Sequence, residues 1–326
     1  MNRIVIATDT FDQVNGVSTT YKNILKVTNH SITIIHPGQF KWKSFKVYPE
    51  IQVCIEPFKV YRSIIRFKPT HMHIATEGPV GLIARIYCKI NKIPFTSGYH
   101  TKFPEYLQIY FKFPLKLSYF LLRLFHKKSK AVLVPSRSCK LELEKQKFNN
   151  LVLWTRGVDN ELIIKTSKSK RREKINVLHV GRISIEKSID DLCVLQDKFN
   201  VTIVGDGPYL KAIKEKYNKI NYLGYKFGKD LANIYSQHDV FCFTSKTDTF
   251  GIVMIEALCN GLPVAAYNVT GPKDIVIKGL TGFLGQDLEN NIINCLKLDR
   301  QLIQNLSVKK WTWQSSEKIL FKNLLD

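Results

Sequence analysis

Short apolar runs recur along the chain, each followed by a longer stretch whose apolar positions return every three or four residues. In the first half the runs are Ile4–Ala7, Ser31–Ile35, Met72–Ala75, Phe95–Gly98, Ala131–Val134 and Val152–Trp154. In the second half they are Val177–Val180, Val201–Val204, Asn221–Leu223, Val240–Phe243 and Val264–Ala266. Helical periodicity fills several of the intervals, at Gly81–Ile90, Ser136–Gln146, Tyr209–Tyr217 and Ile252–Cys259. The runs are continuously apolar rather than alternating, which predicts strands buried on both faces: parallel sheets covered by helices, an α/β fold.

A chain of 326 residues exceeds one ordinary core, so two domains are expected. The stretch from Lys165 to Lys174 is polar, basic and without apolar periodicity, and reads as a linker. The division is therefore 1–158, a linker at 159–174, a second domain at 175–310 and a closing segment at 311–326. That last segment is amphipathic through Trp313, Ile319, Leu320 and Leu324, and is expected to pack back on the N-terminal domain.

Composition changes this picture in three places. The 44% hydrophobic content supports sizeable cores. Seven scattered cysteines, with no Cys-x-x-Cys pair, fit neither a disulfide framework nor a zinc ribbon and suit a reducing, cytoplasmic setting. The opening residues read as a buried strand rather than a leader, and no apolar run reaches bilayer length. The net charge of +22 requires an anionic partner: nucleic acid, a membrane surface or phosphorylated small molecules.

Five motifs could carry chemistry. After the first strand comes Val14-Asn15-Gly16-Val17, where a glycine lets the backbone approach a phosphate at a helix start; an ordinary turn reads equally well. After another strand, Gly181-Arg182 and Glu186-Lys187 place two cations five residues apart, a planar fork and a point charge suited to a diphosphate; a solvated loop with a local Glu–Lys pair is the alternative. Gly205-Asp-Gly207-Pro208 fails as a dinucleotide fingerprint because Leu210 occupies the third glycine position, and reads as a tight turn. In Thr247-Asp248-Thr-Phe250-Gly251-Ile252-Val253-Met-Ile-Glu256, the acids lie eight positions apart, so a helix begun near Asp248 keeps both on one face. The amides of Phe250 to Val253 would hold a phosphate and Glu256 a ribose; an N-cap and a surface acid are the alternative. His100, on a loop after a strand, could bond a substrate hydroxyl or carbonyl; a purely structural histidine is the commoner alternative. His71 and His73 share a strand face, but without a third ligand metal binding is not expected.

Taken in order, these motifs resemble the family 4 retaining glycosyltransferases of GT-B fold. They are joined by Asp9-Thr-Phe11, Thr76-Glu-Gly-Pro79, Tyr99-His-Thr101 with Phe103-Pro-Glu-Tyr106, and Arg156-Gly-Val-Asp159. The chain looks most like the α-mannosyltransferases that use GDP-mannose on glycolipids, with sulfolipid synthases as relatives. The resemblance implies two Rossmann-like doubly wound parallel-sheet domains with a nucleotide-sugar donor held in the cleft between them. It implies that Asn15 and Gly16 approach the donor phosphate and that His100 contacts the transferred sugar. Arg182 and Lys187 would neutralise the diphosphate leaving group. Asp248, with the turn Phe250, Gly251, Ile252 and Val253, would hold sugar hydroxyls, and Glu256 the ribose. Many family members carry Glu where Asp248 stands. No divalent metal and no other cofactor is implied, because cationic side chains do that work.

The acceptor implied is lipid-linked or a glycan. The segment from Tyr106 to Lys130 mixes large apolar residues with Lys and Arg, as a helix lying on an anionic membrane would; a core helix with solvated basic ends is the alternative. The expectation is a cytoplasmic enzyme bound peripherally to the inner face of a membrane. A UDP-sugar-dependent glycolipid synthase is the second reading. A non-catalytic sugar-binding relic is the third, disfavoured because Arg182, Lys187 and Glu256 are all retained, and a non-catalytic basic nucleic-acid- or membrane-binding protein is the alternative from another class. Nucleic acid is not expected as a partner, because the cations are dispersed and no nucleic-acid module is recognisable.

Overall fold

The computed structural model describes residues 2–45, 48–166 and 173–326. The chain forms two compact units: Met1–Arg156 together with Trp313–Asp326, and Gly157–Thr312. Each is a six-stranded parallel sheet with helical crossovers.

In the first unit the strands are β1 (Ile4–Ala7), β2 (Ile32–Ile35), β5 (His71–Ile74), β6 (Phe95–Gly98), β7 (Val132–Val134) and β8 (Leu151–Leu153), in the order β2-β1-β5-β6-β7-β8. Every residue of β1 is buried, so this strand has no polar face to offer solvent. Parallel pairing on both sides (Ile4 with Ile32 and with His71) places it where the strand order reverses. In such sheets the crevice beyond the carboxyl ends at this reversal is the usual ligand position.

The second unit repeats the plan with β9 (Asn176–Val180), β10 (Asn200–Val204), β11 (Asn221–Tyr222), β12 (Val240–Phe243), β13 (Val264–Ala266) and β14 (Gly282–Leu284), ordered β11-β10-β9-β12-β13-β14. Its reversal point lies between β9 and β12.

All eleven expected strands are present within a residue or two at their ends. The sequence pattern missed β14 and an antiparallel hairpin, β3 (Trp42–Phe45) with β4 (Tyr48–Cys54). Strand β14 is three residues long and opens on Gly282, where a Cβ would sit 2.0 Å from the Val264 carbonyl oxygen. The close pairing that makes it a strand thus demands the residue that most disguises one.

The helix Trp313–Leu325 belongs to the first unit. Its Trp313, Leu320, Phe321 and Leu324 join Ile4, Ile6, Tyr21 and Ile24 in one apolar cluster. The Trp154 indole donates to the Ser316 carbonyl at 2.8 Å, and Thr28 Oγ1 to Glu317 Oε1 at 2.9 Å. Of the segment 159–174, residues 167–172 lie outside the described residues. The part before them is fastened to the second unit. Asn260 Nδ2 donates to Leu162 O, Asn260 Oδ1 accepts from Ile164 N, and Gln304 Oε1 accepts from Thr166 N.

Candidate active site

Beyond β9 the chain turns through Gly181, Arg182 and a short 3₁₀ turn, Ile185–Lys187. This loop lies against the Gly205 turn so closely that a Cβ on Gly205 would sit 1.9 Å from the Gly181 carbonyl oxygen. Backbone bonds from Gly181 N to Val204 O and from Ile183 N to Asp206 O complete the contact. The second glycine motif therefore shapes the arginine loop.

Lys187 Nζ reaches Asp248 Oδ1, beyond β12, at 2.6 Å. Glu186 accepts from the Ser184 hydroxyl at 2.6 Å. Thr244 Oγ1 donates to the Lys187 carbonyl at 2.7 Å, tying the ends of β9 and β12 together at their reversal point. Neighbouring His179, also buried, donates through Nδ1 to Cys242 O, and burial lowers its pKa to about 4, so it adds no charge.

The helix expected to begin near Asp248 begins at Ile252. Gly251 stands at its N-cap with φ +99°, a conformation only glycine adopts without strain, and no side chain caps the helix. Asp248 consequently lies in the preceding loop and is not an N-cap. Gly271 braces that loop: a Cβ on it would lie 2.7 Å from Phe250 O and 3.2 Å from Asp248 O. Glu256, four residues into the helix, is buried rather than a surface acid. Burial pushes its carboxyl up to about 7 against a lowering hydrogen bond from Tyr235 Oη at 2.9 Å. Arg182 and Lys187 with Asp248, the turn Phe250–Val253 and Glu256 thus follow the carboxyl ends of two adjacent strands.

In the first unit, Asn15 Oδ1 accepts from Val17 N and Ser18 N at the start of the helix Gly16–Val27. Those two amides are satisfied internally, so the anion-binding capacity expected of this turn is reduced to the backbone at Gly16. Asp9 is the start of a second helix seal. It accepts from Val80 N, Gly81 N and Thr76 Oγ1 at the head of Pro79–Asn91, and burial still lifts its pKa to about 6.

His100 sits in a hydrogen-bonded chain whose direction is fixed. Arg156 can only donate, so its Nη2 makes His100 Nδ1 an acceptor at 2.9 Å. His100 Nε2–H then donates to Tyr21 Oη (2.9 Å), Tyr21 O–H to His73 Nε2 (2.7 Å), and His73 Nδ1–H to Thr96 Oγ1 (2.8 Å). Trp154 packs against Tyr21, His73 and His100, and the Arg156 guanidinium lies 4.2 Å from its ring centroid. Burial, then the charge of Arg156, holds His100 well below the ordinary histidine range and His73 at about 3, so both rings are neutral. His73 is committed to this chain, and His71 bonds Thr70. Among the described residues no group of three or more His, Cys, Asp or Glu is placed to hold a metal ion.

Comparison with known proteins assigns these halves. Residues 17–162 match the family described as Glycosyltransferase Family 4, and residues 160–295 match Glycosyl transferases group 1. The chain is thus built of glycosyltransferase domains, the first of the Family 4 type and the second of the group 1 type. A sulfoquinovosyl transferase of Arabidopsis thaliana is 32% identical over 69% of the chain, which spans 48% of that relative's length. A GDP-mannose-dependent alpha-mannosyltransferase of Mycobacterium tuberculosis is 26% identical, with 86% of this chain and 83% of the relative covered. Among solved structures, HepE of Anabaena in complex with UDP and glucose superposes with a TM-score of 0.75 at 18% identity, over 99% of each chain. That likeness establishes the GT-B glycosyltransferase fold.

Sequence reasoning named no role for Tyr21, His73, Arg156 or Tyr235. Arg156 was quoted within its motif, but its contact with His100 spans 56 residues and has no periodic signature. Tyr235 occupies an inward position of an amphipathic helix, where it reads as core.

Proposed function

We propose that this glycosyltransferase moves a hexose, with mannose from GDP-mannose the first choice, to a lipid-linked or glycan acceptor with retention of configuration. The observation that carries the proposal is the meeting of Lys187 and Asp248 at the reversal point of the second sheet, with Glu256 on the helix that follows. Mutual neutralisation leaves both groups able to exchange partners: Lys187 for a diphosphate oxygen, Asp248 for a sugar hydroxyl. Arg182, next to Gly181, adds a fork-shaped donor. Together the two cations would stabilise charge as the diphosphate departs, the role a divalent ion plays elsewhere, and no metal is invoked. Glu256 would accept from the ribose. His100, with both ring nitrogens engaged, would meet the sugar through its ring edge rather than as an acid or base. The mannosyltransferase relatives favour guanine; the sulfoquinovosyl transferase keeps a UDP-sugar glycolipid synthase as the second reading.

Membrane attachment is proposed from one face of the first unit. The helix Leu115–His126 leaves Leu117, Phe120, Leu121 and Leu124 exposed, with Phe111 just before it. Lys112, Lys116, Lys127, Lys128 and Lys130 are exposed around them, and no Asp or Glu occurs from 106 to 130. Apolar side chains framed by cations suit an anionic lipid surface. Among the described residues no helix is long and apolar enough to cross a membrane.

A thermal-shift titration with GDP, UDP, ADP and their sugar conjugates, without metal, tests the donor assignment. Stabilisation by GDP and GDP-mannose above the others is the expected result. Preference for the uridine series would transfer the proposal to the second reading, and no shift with any nucleotide would defeat it.

A further inference from the structure

Two carboxyls raised by desolvation, Asp9 and Glu256, are provisioned very differently. Asp9 accepts from two backbone amides and one hydroxyl and is saturated by its helix start. Glu256 accepts one hydrogen bond from the described residues, the 2.9 Å bond from Tyr235 Oη to Oε2. A buried carboxylate left with most of its acceptor capacity unused is costly in a purely structural position, and is what a ligand-binding one needs.

Tyr235 is built to aim that carboxylate. It lies on the helix Gly228–Gln237, is fully buried, and its ring is held against Phe241 at 6.0 Å between centroids. Its hydroxyl also stands 3.4 Å from Val253 O, in the first turn of the helix carrying Glu256. With one proton to give, the phenol donates to the nearer, charged acceptor. The long contact to Val253 places the same oxygen over the start of that helix.

We propose that Tyr235 is the positioning residue for Glu256: its hydroxyl fixes Oε2 and leaves Oε1 to accept from the ribose diol of the nucleotide. This rests on the nucleotide-sugar reading above. Removing the hydroxyl withdraws the one hydrogen bond that opposes desolvation, so the carboxyl titrates higher and binds a diol poorly at neutral pH.

Tyr235→Phe, which preserves the ring and its packing, is the test. In the unliganded protein, carbon-13 spectra of the glutamate carboxyls should place the Glu256 midpoint about one to two pH units higher than in the unsubstituted chain. GDP affinity measured across pH should shift by the same interval and fall roughly tenfold at neutral pH. Glu256→Gln should flatten the profile, and adding Tyr235→Phe to it should change affinity by less than about twofold. An unmoved Glu256 midpoint, or a loss of GDP affinity equal at every pH, overturns the proposal. So does a full further loss in the double variant. A midpoint that moves while the unsubstituted protein binds neither GDP nor UDP at any pH overturns the nucleotide reading and this role with it, and the spectra distinguish that case from the others.

Discussion

Lys187 Nζ and Asp248 Oδ1, 61 residues apart in sequence, form a 2.6 Å ion pair that is about one-fifth exposed. The contact joins the loops after two adjacent strands and holds together the cation and the acid that the donor is proposed to separate.

Lys187→Ala should lower turnover of the donor selected by thermal shift by roughly 10²–10³, the usual loss of one charge-stabilising group in a transition state. The melting temperature should move by only a few degrees, since a pair still in contact with solvent contributes on the order of 1 kcal/mol. Nucleotide-release kinetics and a melting curve check both, and unchanged kinetics would remove Lys187 from the diphosphate site.

Glu256 predicts an inverted pH dependence of stability. Its folded pKa of about 7 lies above the ordinary 4.5, so its favourable contribution is complete below the unfolded value and lost as pH rises through 7. Glu256→Gln should therefore stabilise the chain at pH 8, by up to roughly 3 kcal/mol, and hardly at all at pH 4. Denaturant melts at the two pH values supply the comparison. Equal effects at both would show that the carboxylate is solvated in the folded state.

His73 and His100 should show opposite tautomers. Nitrogen-15 spectra should find His100 protonated at Nε2 and His73 at Nδ1, both neutral at pH 5. Arg156→Met should release the constraint on His100 while leaving His73 bonded to Thr96. A shared tautomer in the unsubstituted protein would contradict the directed chain.

Gly205→Ala should disable the enzyme from a position outside the ion pair. Its Cβ would collide with the Gly181 carbonyl, forcing the Gly205 turn away from the loop that carries Arg182. A loss of about 2–4 kcal/mol in stability, with weakened nucleotide binding, is expected. Alanine tolerated with full affinity would mean that the arginine loop need not lie against Gly205.

Leu121→Glu should reduce sedimentation with anionic vesicles at low salt without lowering the melting temperature, because Leu121 is 51% exposed. Raising the salt should weaken binding of the unsubstituted protein as screening shortens the reach of the lysines. Vesicle binding untouched by the substitution would place the membrane contact elsewhere.

The sheets were legible because strands such as Leu178 and Phe241 are apolar on both faces, a pattern solvent-facing segments do not produce. The helix start at Ile252 was not, because Gly251 changes hand at a single residue and periodicity cannot register it. Asp248 was found through its motif, yet its partner was not, since a loop-to-loop ion pair depends on which strands are neighbours. Glu256 and His100 could be named in advance, whereas Tyr235 and Arg156, which hydrogen-bond to them, look like a core aromatic and a loop cation until the fold brings them together.

The return of Trp313–Leu325 to the first unit has a consequence for synthesis. The strand with Ile4 and Ile6 is covered in part by Leu320 and Phe321, which the ribosome adds only after the whole of the second unit. At ordinary elongation rates that interval is tens of seconds, during which the second unit can close on its own while the first keeps an open apolar seam. That seam must therefore stay shielded until the helix Trp313–Leu325 has emerged.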